Sequence, residues 1–210
     1  MLHMADFSFR TIAEPAEGQY KEKGSRFLAF AFPVETEAEI KAHILRLEKQ
    51  FFDARHHCFA WILGADKKRF RAFDDGEPNH SAGDPILGQI RSRNLTNVVV
   101  IVVRYFGGTK LGVGGLIGAY KLAAANALDK AVVVGKDVKK SVIVTYDYPA
   151  TAEIMRLIKE FDLEIQAQSF KAECLLVASC KLQHAPSLIE KLTLMKTLGI
   201  VTDFRDQVVA

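Results

Sequence analysis

The chain has 210 residues, of which 49% are hydrophobic and 25% charged, and its formal net charge is +3. This composition is typical of one large or two small globular domains with a hydrophobic core. No stretch reaches the ~18 uninterrupted apolar residues of a membrane span. We therefore expect no membrane association. The N-terminus has neither a basic stretch nor an apolar signal region, so we expect a cytoplasmic rather than a secreted protein.

The charge is distributed unevenly, although a net charge of this size does not by itself indicate nucleic-acid binding. Residues 1–136 contain 19 Lys/Arg and 15 Asp/Glu, whereas residues 137–210 contain 9 and 10. Any contact with a polyanion should therefore favour the first part. The longest run of basic residues is Lys67-Lys-Arg69. The three cysteines are unclustered, which favours reduced and mostly buried thiols.

The first part of the chain is predicted to mix strands with helices. Three strands are predicted, at 27–32, 58–63 and 98–106. A helical face is predicted at Ile40, Ile44, Leu47 and Phe51. No clear period is present over 73–85. A second helix is expected to follow the third strand and to run to about Val132.

A domain boundary is predicted at Gly135-Lys-Asp137, which gives domains 1–136 and 137–210. The second domain is predicted to follow the order strand, helix, strand, strand, helix, strand. Its strands are predicted at 141–146, 163–170, 174–181 and 200–204. Its helical faces are predicted at Ile154, Leu157, Ile158 and Phe161, and, after Pro186, at Leu188, Ile189, Leu192 and Met195. A βαββαβ order in about 70 residues indicates a ferredoxin-like domain, and the whole chain an α+β fold.

A glycine-rich segment follows the third predicted strand. Residues 104–116 read RYFGGTKLGVGGL and contain five of the fourteen glycines. Glycines allow positive φ and a close approach of backbone N–H groups to a ligand, and a helix start adds a partial positive charge. The segment therefore predicts an anion or nucleic-acid site, although a tight strand-to-helix crossover would also explain it. The predicted site residues are Arg104, Tyr105, Gly107, Gly108, Lys110, Gly112, Gly114 and Gly115. We call residues 107–115 the glycine loop.

The glycine loop matches no standard nucleotide motif. The spacing of a P-loop is absent, and Ile117 stands where the dinucleotide fingerprint requires a third small residue. We therefore expect no cofactor.

An acidic segment, residues 74–85, is dense in turn residues. Asp74, Asp75 and Glu77 could bind a metal or act as an acid/base pair, or their side chains could cap backbone N–H groups in an exposed loop. EF-hand spacing is absent, and we expect no metal. We predict that these carboxylates lie in one cleft with the glycine loop, where they could hold Arg104 and Lys110.

The segment His56-His57-Cys58 could be interpreted as a metal-binding site or as a reactive thiol beside histidines. Neighbouring strand residues point to opposite faces, and further ligands at zinc spacing are absent. Cys58 is therefore interpreted as a core residue. His56 is a possible partner of the acidic segment.

Three segments, together with HCFAW at 57–61, resemble the IMPACT family, whose bacterial members are the YigZ-like proteins. They are KGSRF at 23–27, DDGEP at 74–78 with Ala82-Gly83 and Pro85-Ile-Leu87, and RYFGG at 104–108 through 112–116. The resemblance implies a first domain like domain 2 of ribosomal protein S5 and a C-terminal domain similar to the last domain of elongation factor G. It also implies a role in translation, since eukaryotic members regulate translation through a partner protein.

The chain departs from the family pattern at two places. Asn79-His80-Ser81 stands where the family usually has Ser-Gly-Thr, and Gly118 stands where it usually has Arg. The missing Arg removes one cation from the expected anion site, so we expect weaker polyanion binding here.

Three functions fit these observations. The preferred one is a binding protein that contacts RNA, the ribosome or a translation-associated partner, because aromatic residues beside cations can stack on bases while the charges meet phosphates. An enzyme acting on a phosphorylated small molecule is the second, and no general base is recognisable for it. The third is a protein-interaction adaptor without a ligand. An enzymatic role is the less favoured, and the sequence does not give the oligomeric state.

Overall fold

The computed structural model describes residues 7–171 and 173–209 and has the α+β class that the sequence predicts. Its contacts divide the chain into two compact units. The N-terminal unit is Phe9–Lys136, and the C-terminal unit is formed by the described residues from Asp137 onward together with Phe7 and Ser8. None of the helices in these described ranges is both long and apolar enough to cross a membrane.

The N-terminal unit is built on a five-stranded antiparallel sheet with the order β2-β3-β6-β4-β5. A two-stranded sheet joins β1 to β7. The elements, in chain order, are β1 (Ser8–Ile12), β2 (Ala16–Glu22), β3 (Ser25–Pro33), α1 (Glu37–Gln50), β4 (His56–Leu63), β5 (Arg69–Phe73), α2 (Gly83–Ser92), β6 (Val98–Tyr105), α3 (Gly112–Leu128) and β7 (Val133–Asp137).

Both faces of the five-stranded sheet are covered by hydrophobic clusters, which explains why the central strand β6 is apolar throughout. Val100 and Val102 of β6 pack with α2 and α3 on one face. Val99 and Ile101 pack with α1 on the other. Because side chains alternate along a strand, an even-numbered residue of β6 belongs to the α2–α3 face. Arg104, at the end of β6, therefore lies on that face.

The structure corrects two of the predicted element boundaries. The helix after the glycine loop ends at Leu128 and not near Val132, because Val133 already belongs to β7, which pairs with β1. The last strand of the chain begins at Asp203 and not at residue 200, because Val201 is buried in the core ahead of the strand. Five elements were not predicted: β1, β2, β5, α2 and β7.

The C-terminal unit contains a four-stranded antiparallel sheet with the order β11-β8-β10-β9. Val142, Val144 and Tyr146 of β8 pack into one cluster with residues of both helices, including Leu157 and Leu188. The helices therefore lie on one face of this sheet. Its elements are β8 (Lys139–Tyr146), α4 (Thr151–Glu160), β9 (Glu164–Phe170), β10 (Cys174–Lys181), α5 (Ala185–Thr197) and β11 (Asp203–Val209).

Candidate functional site

Two glycines from distant parts of the sequence lie backbone against backbone where β6 ends. A Cβ atom on Gly107 would lie 1.9 Å from the carbonyl carbon of Gly24, and one on Gly24 would lie 2.7 Å from the Gly107 oxygen. The Gly107 N–H also donates to Ser25 Oγ at 3.1 Å. Only glycine fits at such a contact. The turn before β3 is thereby joined to the start of the glycine loop.

Arg104 is buried beside this contact, with 6% of its surface exposed. Its Nη1 donates to Glu77 Oε1 at 2.5 Å. Its guanidinium lies over the rings of Phe27 and Phe106, with the Cζ atom 5.5 and 5.7 Å from their centroids. Arg104 Nε has no hydrogen-bond partner among the described residues. Glu77, a carboxylate of the acidic segment, therefore holds Arg104 and balances its charge.

Tyr120 of α3 joins the same buried network. Its hydroxyl donates to Glu77 Oε1 at 2.7 Å, and its ring packs edge-on against Phe27. Cys58 Sγ lies 3.3 Å from the Tyr120 hydroxyl and 2.9 Å from the backbone oxygen of Asp74. Burial raises the pKa of both Tyr120 and Cys58 well above their ordinary values. Both groups therefore stay protonated at neutral pH, and Cys58 is the core residue that the sequence indicates.

Asp74 organises the acidic segment from within. Its Oδ1 accepts from the N–H groups of Gly83 and Ala82 at 2.8 and 2.9 Å, and its Oδ2 accepts from His80 at 2.9 Å. Burial by itself raises the pKa of Asp74, but these N–H groups lower it more, and the resulting pKa lies below its ordinary value. Asp74 thus serves as the cap of α2, whose own N-cap residue Ala82 supplies no side-chain bond.

Asp75 connects the acidic segment to the start of β4 through two hydrogen bonds. Its Oδ2 accepts from the backbone N–H of His57 at 2.6 Å, and its backbone oxygen accepts from His56 Nδ1 at 2.8 Å. His56 is thus a partner of the acidic segment, through the backbone. The carboxylates of Asp74, Asp75 and Glu77 are each engaged in bonds to the protein itself. Within residues 7–171 and 173–209, no three His, Cys, Asp or Glu side chains are grouped so that they could hold a metal ion.

The remaining glycine-loop residues lie on the surface. Gly108 and Gly112 have φ values of +88° and +71°, whereas Gly114 lies within α3 and has no positive φ. Helix α3 starts without a capping side chain, since Leu111 is its N-cap residue, and its first turn contains no acidic residue. The N–H groups of such a helix start attract anions. Lys110 is exposed beside it.

Tyr105 is separated from the other predicted residues by the sheet. It packs with the α1 cluster, and its hydroxyl donates to Asp53 at 2.7 Å. The side chain of Tyr105 therefore lies on the opposite face of the sheet from that of Arg104. Phe106 is 55% exposed, and its ring lies against the guanidinium of Arg104.

The structure brings Glu77 and Arg104 into contact and leaves Lys110, Gly108, Gly112 and Gly114 exposed. The sequence reasoning did not name Gly24, Ser25 or Tyr120 as parts of this arrangement. The segment KGSRF was itself the available signal for Gly24 and Ser25. For Tyr120, the signal was a polar tip on a helix face that otherwise carries Leu and Ala.

Comparisons with known proteins agree with the family that the motif segments of the sequence indicate. Residues 23–128 match the family described as the Impact N-terminal domain. The chain is 35% identical over 160 residues to the IMPACT family member YvyE of Bacillus subtilis, covering 76% of this chain and 72% of the relative. It is 33% identical over 156 residues to the IMPACT family member YigZ of Escherichia coli, covering 73% and 76%.

The likeness extends to a solved structure. A crystal structure of a hypothetical protein superposes with a TM-score of 0.73 at 27% identity, and the match covers 97% of this chain and 98% of that one. The family resemblance of the sequence is thus confirmed, and this chain belongs to the IMPACT family.

Proposed function

We propose that this IMPACT family protein is a cytoplasmic binding protein of translation, and that it contacts RNA through the exposed glycine loop at the start of α3. The observation that carries the proposal is the uncapped start of α3, which lies on the surface beside Lys110 and follows two glycines of positive φ. An RNA phosphate would complete the hydrogen bonds of the free N–H groups there.

The surroundings of the loop support a nucleic-acid ligand. Phe106 exposes 55% of its surface next to the loop, and an exposed aromatic ring can stack on an unpaired base. The N-terminal unit also contains the net positive part of the chain. Arg104 contributes by position, since its ion pair with Glu77 holds the end of β6, from which the loop begins.

The enzymatic alternative has less support. Glu77 is bonded to Arg104 and Tyr120, and Asp74 to three backbone N–H groups, so neither carboxylate is free to act on a substrate. The adaptor alternative is supported by exposed apolar residues on α3, Val113 and Ile117. It predicts that a protein partner, and no RNA, binds at the same loop.

We also propose that the two units are the two domains of the family, bounded at 1–136 and 137–210. The strand order β11-β8-β10-β9 and the alternation of strands and helices support a ferredoxin-like C-terminal domain, similar to the last domain of elongation factor G. The likeness of the N-terminal domain to domain 2 of ribosomal protein S5 is what the family resemblance implies, and residues 23–128 match that family.

RNA binding can be tested by gain as well as by loss. Fluorescence anisotropy with a labelled single-stranded RNA should show weaker binding for Lys110→Ala, with a salt dependence reduced by about one phosphate contact. Gly118→Arg should bind more tightly, because a Cβ at Gly118 meets no atom within 4 Å and the new cation lies one turn from Gly114. Lys130→Ala, beyond the far end of α3, is the control and should bind as the parent does.

The proposal is wrong if Gly118→Arg and Lys110→Ala both bind RNA as the parent does. Capture of one cytoplasmic protein by the parent but not by Val113→Asp, without any RNA binding, would favour the adaptor.

A further inference from the structure

A groove runs between the two helices of the C-terminal unit, α4 and α5. It consists of two adjoining cavities of about 650 and 280 Å³, and Glu160, Lys191 and Leu194 line both. The smaller cavity has an apolar floor, to which the buried side chains of Leu157 and Met195 contribute. We call these two cavities together the α4–α5 groove. Apolar side chains of another molecule could be buried in it.

Two leucines of the groove protrude from the protein. Leu194 is 54% and Leu198 65% exposed, and both line the groove. Single exposed leucines are normal on a protein surface. These two, however, are four residues apart and form one ridge along α5. The surface therefore combines a groove with a protruding apolar ridge, and such a surface can bind a copy of itself, because a twofold contact uses the same patch of both subunits.

The two helices run in opposite directions along the groove, which gives its ends different charges. Near the start of α5, Glu190 lines the wider cavity, and Lys191 Nζ lies 3.6 Å from Oε2 of Glu160 at the end of α4. Near the end of α5, Arg156 of α4 and Leu198 line the smaller cavity. One end of the groove therefore contains the acid Glu190, and the other contains the cation Arg156.

The charges at the two ends are complementary between copies. Neither Arg156 nor Glu190 forms an ion pair with another residue in the part of the chain that the structure describes. Glu153 also lines the Arg156 end, but it lies in the first turn of α4, where the helix dipole stabilises an acid. The first turn of α5 contains no acid, and Glu190 lies beyond it. Two copies with antiparallel α5 helices exchange the ends of the groove, so that each Glu190 would lie beside Arg156 of the other copy.

We propose that two copies of this chain associate through the α4–α5 groove about a twofold axis. Leu194 and Leu198 of each copy occupy the groove of the other, and Glu190 of each copy pairs with Arg156 of the other. This contact goes beyond the proposed function and does not depend on it, since the glycine loop belongs to the N-terminal unit.

Sedimentation velocity of the full chain over a series of concentrations measures the association. The parent should reach the mass of two copies as its concentration rises. Leu194→Asp should weaken self-association at least about ten-fold, because the new carboxylate would be buried without a partner. Leu45→Asp is the matched control, since Leu45 is a 45% exposed leucine of α1 outside the groove, and it should associate as the parent does. Circular dichroism melts verify that each variant is folded.

Charge reversal tests the antiparallel arrangement. Arg156→Glu and Glu190→Lys should each weaken self-association about ten-fold, because each places like charges against one another twice in the pair of copies. An equimolar mixture of the two variants should associate as the parent does, since each variant supplies the charge that the other lacks. Mixing would not repair a merely structural defect.

Four results would overturn this inference. They are a parent that sediments as a single chain at every concentration, parental association of Leu194→Asp, a mixture of Arg156→Glu with Glu190→Lys that associates no better than either variant alone, and capture of a different protein by the groove of a parent that remains a single chain. RNA binding of the parent is measured separately, so the proposed function stands or fails independently of these results.

Discussion

Glu77 and Arg104 form the buried ion pair on which the acidic segment and the end of β6 depend. Their side chains are 4% and 7% exposed. Such a pair adds little over two apolar residues of the same shape, but removing one partner leaves the other charged and desolvated. Tyr120 and Phe27 contact this ion pair. Within the described ranges, Glu77 is the one carboxylate that accepts a hydrogen bond from Arg104.

We therefore predict that Glu77→Gln lowers the free energy of unfolding by about 3 kcal/mol. Glu37→Gln is the matched control, since it removes the acid of the exposed pair with Arg69 and should cost less than about 1 kcal/mol. Urea denaturation of both variants measures the difference. Equal losses in the two variants would contradict a special role for the buried pair.

At the scale of the structural elements, the turn between β2 and β3 contacts the loop after β6 through the backbones of two glycines. Gly24 has a φ of +80°, which favours glycine, whereas Gly107 is required for the space it leaves. The segments KGSRF and RYFGG thus meet because two backbones must approach more closely than any side chain allows.

Gly107→Ala should destabilise the protein by more than about 2 kcal/mol, because backbone atoms of Gly24 and Ser25 occupy the position of the new methyl group and cannot move as a side chain can. Gly114→Ala is the control within the same loop. Its Cβ meets open space and its backbone is helical, so it should stabilise α3 by about 0.5–1 kcal/mol. Thermal unfolding of both variants tests the contrast. A Gly107→Ala variant as stable as the parent would show that the two backbones can separate freely.

At the scale of the whole molecule, each unit has its own hydrophobic core. The N-terminal unit has a cluster on each face of its five-stranded sheet, and the C-terminal unit has one cluster between its sheet and its helices. A segment with a complete core can fold by itself.

Fragments 1–136 and 137–210, produced separately, should therefore each unfold cooperatively in urea. The shorter fragment should be the less stable, because a small domain buries a smaller fraction of its surface. A fragment that shows no cooperative transition would mean that its core needs the rest of the chain.

Much of this protein was determined by the local sequence. The run 98–103 is apolar at every position, and a strand covered on both faces needs this pattern. The helical faces of α1, α4 and α5 were predicted because the packing against each core repeats about every 3.6 residues. The family was also determined locally, since its motif segments are short and contiguous.

Other features were decided only by tertiary structure. Helix α2 was missed because its cap is Asp74, nine residues before the helix begins, and β5 because its arginines and phenylalanines do not alternate between a buried and an exposed face. The sequence placed the carboxylates of the acidic segment near Arg104, but only the fold decides that Glu77, 27 residues earlier, is the one that pairs with it. Tyr105 was assigned to the site because it lies beside Arg104 in the sequence. Side chains alternate along a strand, however, and Tyr105 therefore joins the opposite face of the sheet. A site assembled from β3, β4, β6, α3 and the acidic segment exists only when the sheet has formed, since its contacts join residues that are distant along the chain.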